Sequence, residues 1–156
     1  MNLFNNQWTT NFRLWNEGTW TARVRIWAFD RFEAEPSLIT PSLEARFPLQ
    51  AAVAEGLGVG GKLPPTRAGL ELSRKGVLLT AFGPNPDGPG TMLRLWELAG
   101  QSGACRVQLP AGLEVKRVQP VDLRGRPAGQ TIEVKDRAFD ARLSAFAPAS
   151  YQIAHE

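Results

Sequence analysis

An antiparallel all-β sandwich of short strands joined by Gly/Pro-rich turns is the fold this sequence predicts, and three observations predict it. Fifteen glycines and twelve prolines recur along the 156 residues, too often to leave room for long helices. Between them lie runs that alternate apolar and polar residues, the pattern of a strand with one buried face. The runs are short and closely spaced, as sandwich strands are; a closed barrel is the alternative.

The first run is Trp20 to Ala28. Trp20, Ala22, Val24, Ile26 and Ala28 fall on one face of a strand, with Thr21, Arg23, Arg25 and Trp27 on the other. Helical spacing would split that apolar set. Ser42 to Gly56 is the single helix candidate, but Pro48 sits in its middle. A proline inside a helix costs about 3 kcal/mol, so extended structure is expected around Pro48, with one helical turn at Gln50 to Glu55. The Gly- and Pro-rich stretch from Leu57 to Thr66 reads as a loop.

Regular short strands follow. Gly76 to Phe82 ends in Gly83-Pro84-Asn85-Pro86-Asp87-Gly88-Pro89-Gly90, which can only be a turn or loop. Thr91 to Leu98 alternates again, with Leu93, Leu95 and Glu97 opposed to Met92, Arg94, Trp96 and Leu98. Arg94 and Glu97 are candidates for an ion pair, although an ideal strand puts them on opposite faces. Ala104 to Leu109 is closed by Pro110, and Leu113 to Val121 carries a phase shift that predicts a bulge. Gln130 to Val134 and Ala138 to Phe146 are expected to form a hairpin around Lys135-Asp136-Arg137, and Tyr151 to Ala154 is the last strand. The expected organisation is an aromatic-rich segment, 1–66, forming part of the sandwich, and a compact sandwich region, 67–156, together one domain cut from a larger chain.

Composition excludes several function classes. The net charge of +3 is a small excess, with basic residues scattered among acidic ones. That is a solvated surface and not a nucleic-acid stripe. One cysteine rules out an internal disulfide, and Cys105 sits in an alternating run as a small buried apolar residue. The one histidine, His155, lies next to the last residue, a poor place for catalysis. No Ser-His pair, Cys-His pair or histidine-rich metal cluster can be built. Asp30, Glu33 and Glu35 read as a solvated turn. No basic start with an apolar core marks a signal peptide, and no apolar run approaches the roughly 20 residues of a membrane span. Localisation stays open.

Two segments carry information. From Asn2 to Trp20, tryptophans alternate with the amides Asn5, Asn6, Gln7, Asn11 and Asn16. Aromatic faces beside amides suit sugars, whose C–H faces are apolar and whose hydroxyls need partners. A packed loop whose amides cap backbone groups is the first reading; contact with a glycan or an active-site edge is the second, and a protein interface the third. The other segment, Gly76 to Gly100, is strand, rigid turn and strand.

These segments resemble glycoside hydrolase family 38 α-mannosidases. Val77-Leu78-Leu79-Thr80-Ala81, the Asp87-Gly88 turn and Leu93-Arg94-Leu95-Trp96-Glu97 are similar to that family's C-terminal β region. Asn2-Leu3-Phe4-Asn5-Asn6-Gln7-Trp8-Thr9-Thr10-Asn11-Phe12 is similar to a stretch of its bacterial members. Glu44 to Leu49 and Leu143 to Tyr151 resemble further pieces in the same order. The resemblance implies a non-catalytic C-terminal β-sandwich domain of a retaining, zinc-dependent α-mannosidase. The catalytic carboxylates and the zinc would then lie in a separate N-terminal domain, and this chain would carry no cofactor and no catalytic or metal-ligating residue. It further implies Asn5, Asn6, Trp8 and Asn11 as the positions that would reach the rim of the sugar pocket. The expected partners are that catalytic domain and carbohydrate, with neither nucleic acid nor membrane, and self-association follows if an apolar face is left open. The alternative is a free-standing sandwich that binds carbohydrate or protein.

Overall fold

The computed structural model describes residues 17–51 and 66–154, and the chain divides into two compact units, Met1–Asp30 and Arg31–Glu156. In the first unit the described residues, 17–30, form neither helix nor strand and are exposed. The strand expected over Trp20 to Ala28 is therefore not formed, and Ile26, assigned to the buried face, is 90% exposed. An alternating run becomes a strand only where a neighbour takes its backbone hydrogen bonds and a second layer covers its apolar face. No residue of 17–30 enters a ladder.

The second unit opens with a helical stretch that the sequence placed too late. A π-helical turn, Ala34–Ile39, runs into α1, Thr40–Arg46. Ser37 ties down its start: the hydroxyl accepts from the Glu33 amide and donates to the Arg31 carbonyl, both at 3.0 Å. Pro41 lies in the first turn of α1, where its missing N–H costs nothing. The helix stops at Phe47 because Pro48 disfavours helical backbone in the residue before it. Pro48 thus ends the helix instead of excluding it, and Gln50 and Ala51 are not helical.

Among the described residues the strands are β1 (Glu71–Leu72), β2 (Val77–Pro84), β3 (Thr91–Glu97), β4 (Gly103–Gln108), β5 (Arg117–Val121), β6 (Ile132–Glu133), β7 (Ala138–Leu143) and β8 (Pro148–Ile153). They form two antiparallel sheets, a smaller one in the order β1-β4-β7 and a larger one in the order β2-β3-β8-β5-β6. Alternation supplies the core. Leu93 and Leu95 from β3, Tyr151 and Ile153 from β8 and Val118 from β5 meet Cys105, Val107, Phe139, Ala141 and Leu143 of the smaller sheet. The Phe139 and Tyr151 rings pack edge to face, 5.3 Å between centroids. Cys105 is buried and free, as its setting predicted.

The turn Asn85 to Gly90 closes the β2–β3 hairpin, with the Asn85 amide donating to the Gly90 carbonyl at 2.9 Å. Gly90 has φ +86, and a Cβ there would sit 2.3 Å from the Ile153 carbonyl oxygen, so only glycine fits. The bulge expected in 113–121 is in β2 instead, where Thr80 is the extra residue between Leu79 and Ala81. Its hydroxyl donates to the Arg94 carbonyl at 3.1 Å. Residues 113–116 precede β5 without joining it, although Leu113 and Val115 pack on the core.

The hairpin expected around Lys135-Asp136-Arg137 forms only as a turn. Lys135 and Ala138 exchange both backbone hydrogen bonds, and Asp136 and Arg137 have φ +53 and +60. That is the type I′ pattern. Beyond it the strands part: β6 pairs with β5 in the larger sheet and β7 with β4 in the smaller one. The turn is a corner between layers, because each strand finds a longer ladder elsewhere. No helix among the described residues is long and apolar enough to cross a membrane, which says nothing of membrane β-barrels.

Candidate functional site

Three surfaces of the sandwich carry polar chemistry or exposed apolar groups. The first surrounds Glu97, the third inward position of β3 after Leu93 and Leu95, and 0% exposed. The ion pair with Arg94 does not form. Glu97 Oε1 accepts from the Ala99 amide at 3.0 Å, and Oε2 accepts from the Gly100 and Phe146 amides at 2.9 Å. Arg74 Nη2 lies 3.9 Å from Oε1 and donates to the Gln101 carbonyl at 2.9 Å. Arg94 instead donates to the Leu123 carbonyl at 3.3 Å. Burial pushes the Glu97 carboxyl up, but the amides of Phe146, Gln101, Ala99 and Gly100 together hold it below its ordinary value. A charged carboxylate thus pins the turn after β3 to the turn before β8. The same junction needs Gly100 at φ +73, because a Cβ would strike the Phe146 ring at 2.5 Å. Every lone pair that faces a donor is engaged, so Glu97 is an anchor and not a free acid.

The second surface is the outer face of the larger sheet. Trp96 and Arg94 point away from the core, Leu78 and Pro148 flank Trp96, and Trp96 Nε1 donates to the Phe146 carbonyl at 3.3 Å. Trp96 and Phe146 are exposed, and Leu123, beside Arg94, is 61% exposed. A shallow cleft of about 500 Å³ at the same sheet's β2 edge is lined by Thr80, Phe82, Pro86, Met92 and Arg94, among others.

The third surface is a cleft of about 670 Å³ lined by Pro120, Ala128, Gln130, Thr131, Ile132, Asp140, Arg142 and Tyr151. Tyr151 is 3% exposed, and burial, with a smaller contribution from Cys105, pushes its hydroxyl up to about 12. It is therefore a neutral donor throughout the physiological range.

Of the positions the sequence singled out, Asn5, Asn6, Trp8 and Asn11 lie outside the described residues, as does His155. Asp30 and Glu33 are exposed, and Glu35 is half-buried and accepts from the Thr40 hydroxyl. No three His, Cys, Asp or Glu side chains come together as metal ligands among the described residues. The anchoring role of Glu97 was missed, though a carboxylate continuing the inward row of Leu93 and Leu95 is its signal. The cleft joins residues of four strands and a loop, and no local pattern announces it.

These features define a two-layer antiparallel β-sandwich whose buried carboxylate is structural. Residues 76–150, just under half of the chain, match the family model described as the glycosyl hydrolases family 38 C-terminal beta sandwich domain. Over that stretch the chain is similar to a family 38 C-terminal β-sandwich domain, a likeness that supports a non-catalytic domain of a glycosyl hydrolase of that family. No curated protein and no solved structure matches the chain significantly.

Proposed function

We propose that this sandwich serves an α-mannosidase-like family 38 enzyme by packing on its catalytic domain through the outer face of the larger sheet. The observation that carries the proposal is the apolar row on that face. Trp96, Leu123 and Phe146 stand exposed there, with Arg94 bonded to the Leu123 carbonyl and Trp96 to the Phe146 carbonyl. A contiguous apolar patch with a polar rim is what a domain interface presents. Zinc and both catalytic carboxylates would belong to the catalytic domain, since the chemistry needs a carboxylate pair flanking the sugar bond. The Asn2 to Trp20 stretch would contribute Asn5, Asn6, Trp8 and Asn11 to the rim of the sugar pocket. In the chain by itself the same apolar face would favour self-association.

The test compares Trp96→Asp and Leu123→Asp in this chain and in a full-length enzyme that contains it. Both substitutions should leave the melting temperature of this chain nearly unchanged. In the full-length enzyme they should lower the temperature of inactivation and expose the domain junction to protease. Unchanged inactivation and proteolysis would remove the docking reading and leave a free-standing binding module. For the rim, Trp8→Ala should raise KM for an aryl α-mannoside without unfolding the enzyme; unaltered kinetics would discard that assignment.

A further inference from the structure

The cleft at Tyr151 is built like a binding site. Tyr151 is held rigidly, with its ring packed on Phe139 and its backbone in the middle of β8 between β3 and β5. Its side chain lines the cleft, yet its hydroxyl makes no hydrogen bond among the described residues. The ring is buried while the hydroxyl, which has no protein partner, opens on the cleft and can bond to an occupant. Around it stand Gln130 and Arg142, which also have no hydrogen-bond or ion-pair partner among the described residues. Asp140 is different: Arg106 lies 3.7 Å from its carboxylate. Thr131 donates to Gln119 Oε1 at 2.8 Å, so its oxygen is left to accept.

The cleft therefore offers donors at Tyr151, Arg142 and Gln130, acceptors at Asp140 and Thr131, and an apolar wall at Pro120 and Ile132. Its own charges, Asp140 and Arg142, cancel. A ligand that fits is neutral, dense in hydroxyls that both donate and accept, and carries an apolar face. We infer that this cleft binds a neutral cyclic polyol, a pyranose ring of a saccharide, with the Tyr151 hydroxyl as the central hydrogen bond. The inference rests on these residues alone and does not depend on how the sandwich docks.

The experiment is an amide-resolved NMR titration of the whole chain with a methyl hexopyranoside. A cyclohexane polyol, a hexuronate and sodium acetate serve as further arms. Saturable shifts at Gln130, Thr131, Ile132, Arg142 and Tyr151 are expected with the hexopyranoside and the polyol. Tyr151→Phe removes only the hydroxyl and should weaken binding about 5-fold, the loss of one hydrogen bond, with the rest of the spectrum unmoved. Arg142→Ala, on an exposed side chain, should weaken it by a similar factor and serves if Tyr151→Phe disturbs the core. The inference is overturned by no saturable shift, by shifts that both variants leave unchanged, or by acetate and hexuronate binding in preference to the neutral sugars.

Discussion

Two stretches of this chain alternate equally well and end in opposite states. Residues 20–28 place five apolar side chains on one face, and residues 91–97 place Leu93, Leu95 and Glu97 on one face. The second stretch is the second strand of a five-stranded sheet, hydrogen-bonded to β2 on one side and β8 on the other, with Leu93 and Leu95 fully buried. The first forms no ladder and keeps Ile26 exposed. Periodicity states which face would be buried if a strand formed. Whether it forms is decided by distant partners that take its backbone hydrogen bonds and a layer that covers its apolar face.

The contrast predicts the largest effect at Leu95. Leu95→Ala leaves a cavity between the sheets and should cost about 3–4 kcal/mol in urea unfolding. A loss below about 1 kcal/mol would break the account of the core. Glu97→Gln comes next, at about 2–3 kcal/mol, because an amide cannot accept from three backbone N–H groups as a carboxylate does and points its own NH₂ at one of them. The same residue gives a pH dependence. The folded carboxyl is held below its ordinary value of 4.5, so its contribution is fully present above that pH and is lost as pH falls through the lowered folded value. Tyr151 works in the other direction. Its folded hydroxyl is raised from 10 to about 12, so stability is intact below pH 10 and declines as pH rises toward 12. Unfolding midpoints across pH should show both losses. Glu97→Gln should flatten the acid limb and Tyr151→Phe the alkaline one; the chain has one tyrosine, so ultraviolet difference absorbance reads its ionisation directly.

Smaller effects sharpen the comparison at its margins. Arg137 adopts φ +60 without being glycine, and Arg137→Gly should stabilise the corner by about 0.5–1 kcal/mol. A loss instead would mean that the arginine side chain holds the corner. Ile26→Ser, at an apolar position of the stretch that forms no strand, should change unfolding stability by less than about 0.5 kcal/mol. A cost near that of Leu95→Ala would show that 20–28 is packed in solution.

Much of the sandwich was legible because its signals are local. The Gly/Pro-dense segment after Phe82 does turn the chain, but only from Asn85 to Gly90, since Gly83 and Pro84 still pair with β3 as the end of β2; the strands on either side otherwise appear where the alternation placed them. The grouping of Leu93, Leu95 and Glu97 on one face also holds, and the structure shows that face to be the buried one. What was misread involves competition between distant segments. The corner at Asp136-Arg137 has hairpin chemistry, yet its two strands belong to different sheets. Pro48 is a terminator, and the helix it terminates lies before it, supported by Ser37 and tolerant of Pro41 in its first turn.

By itself the sequence determined the all-β class, the main turns, which residues of β3 share a face and the likeness of residues 76–150 to a family 38 C-terminal sandwich. The first three follow from side-chain period and turn chemistry, which act over a few residues, and the last from the resemblance of motifs in order along the chain. Tertiary structure alone decided which runs became strands, which sheet each strand joined and that Glu97 is a buried anchor. It also decided that Tyr151, Gln130, Asp140 and Arg142 share one cleft. Those depend on which backbone groups find partners and which polar groups are left facing a gap, and such pairings are made between residues far apart in the chain.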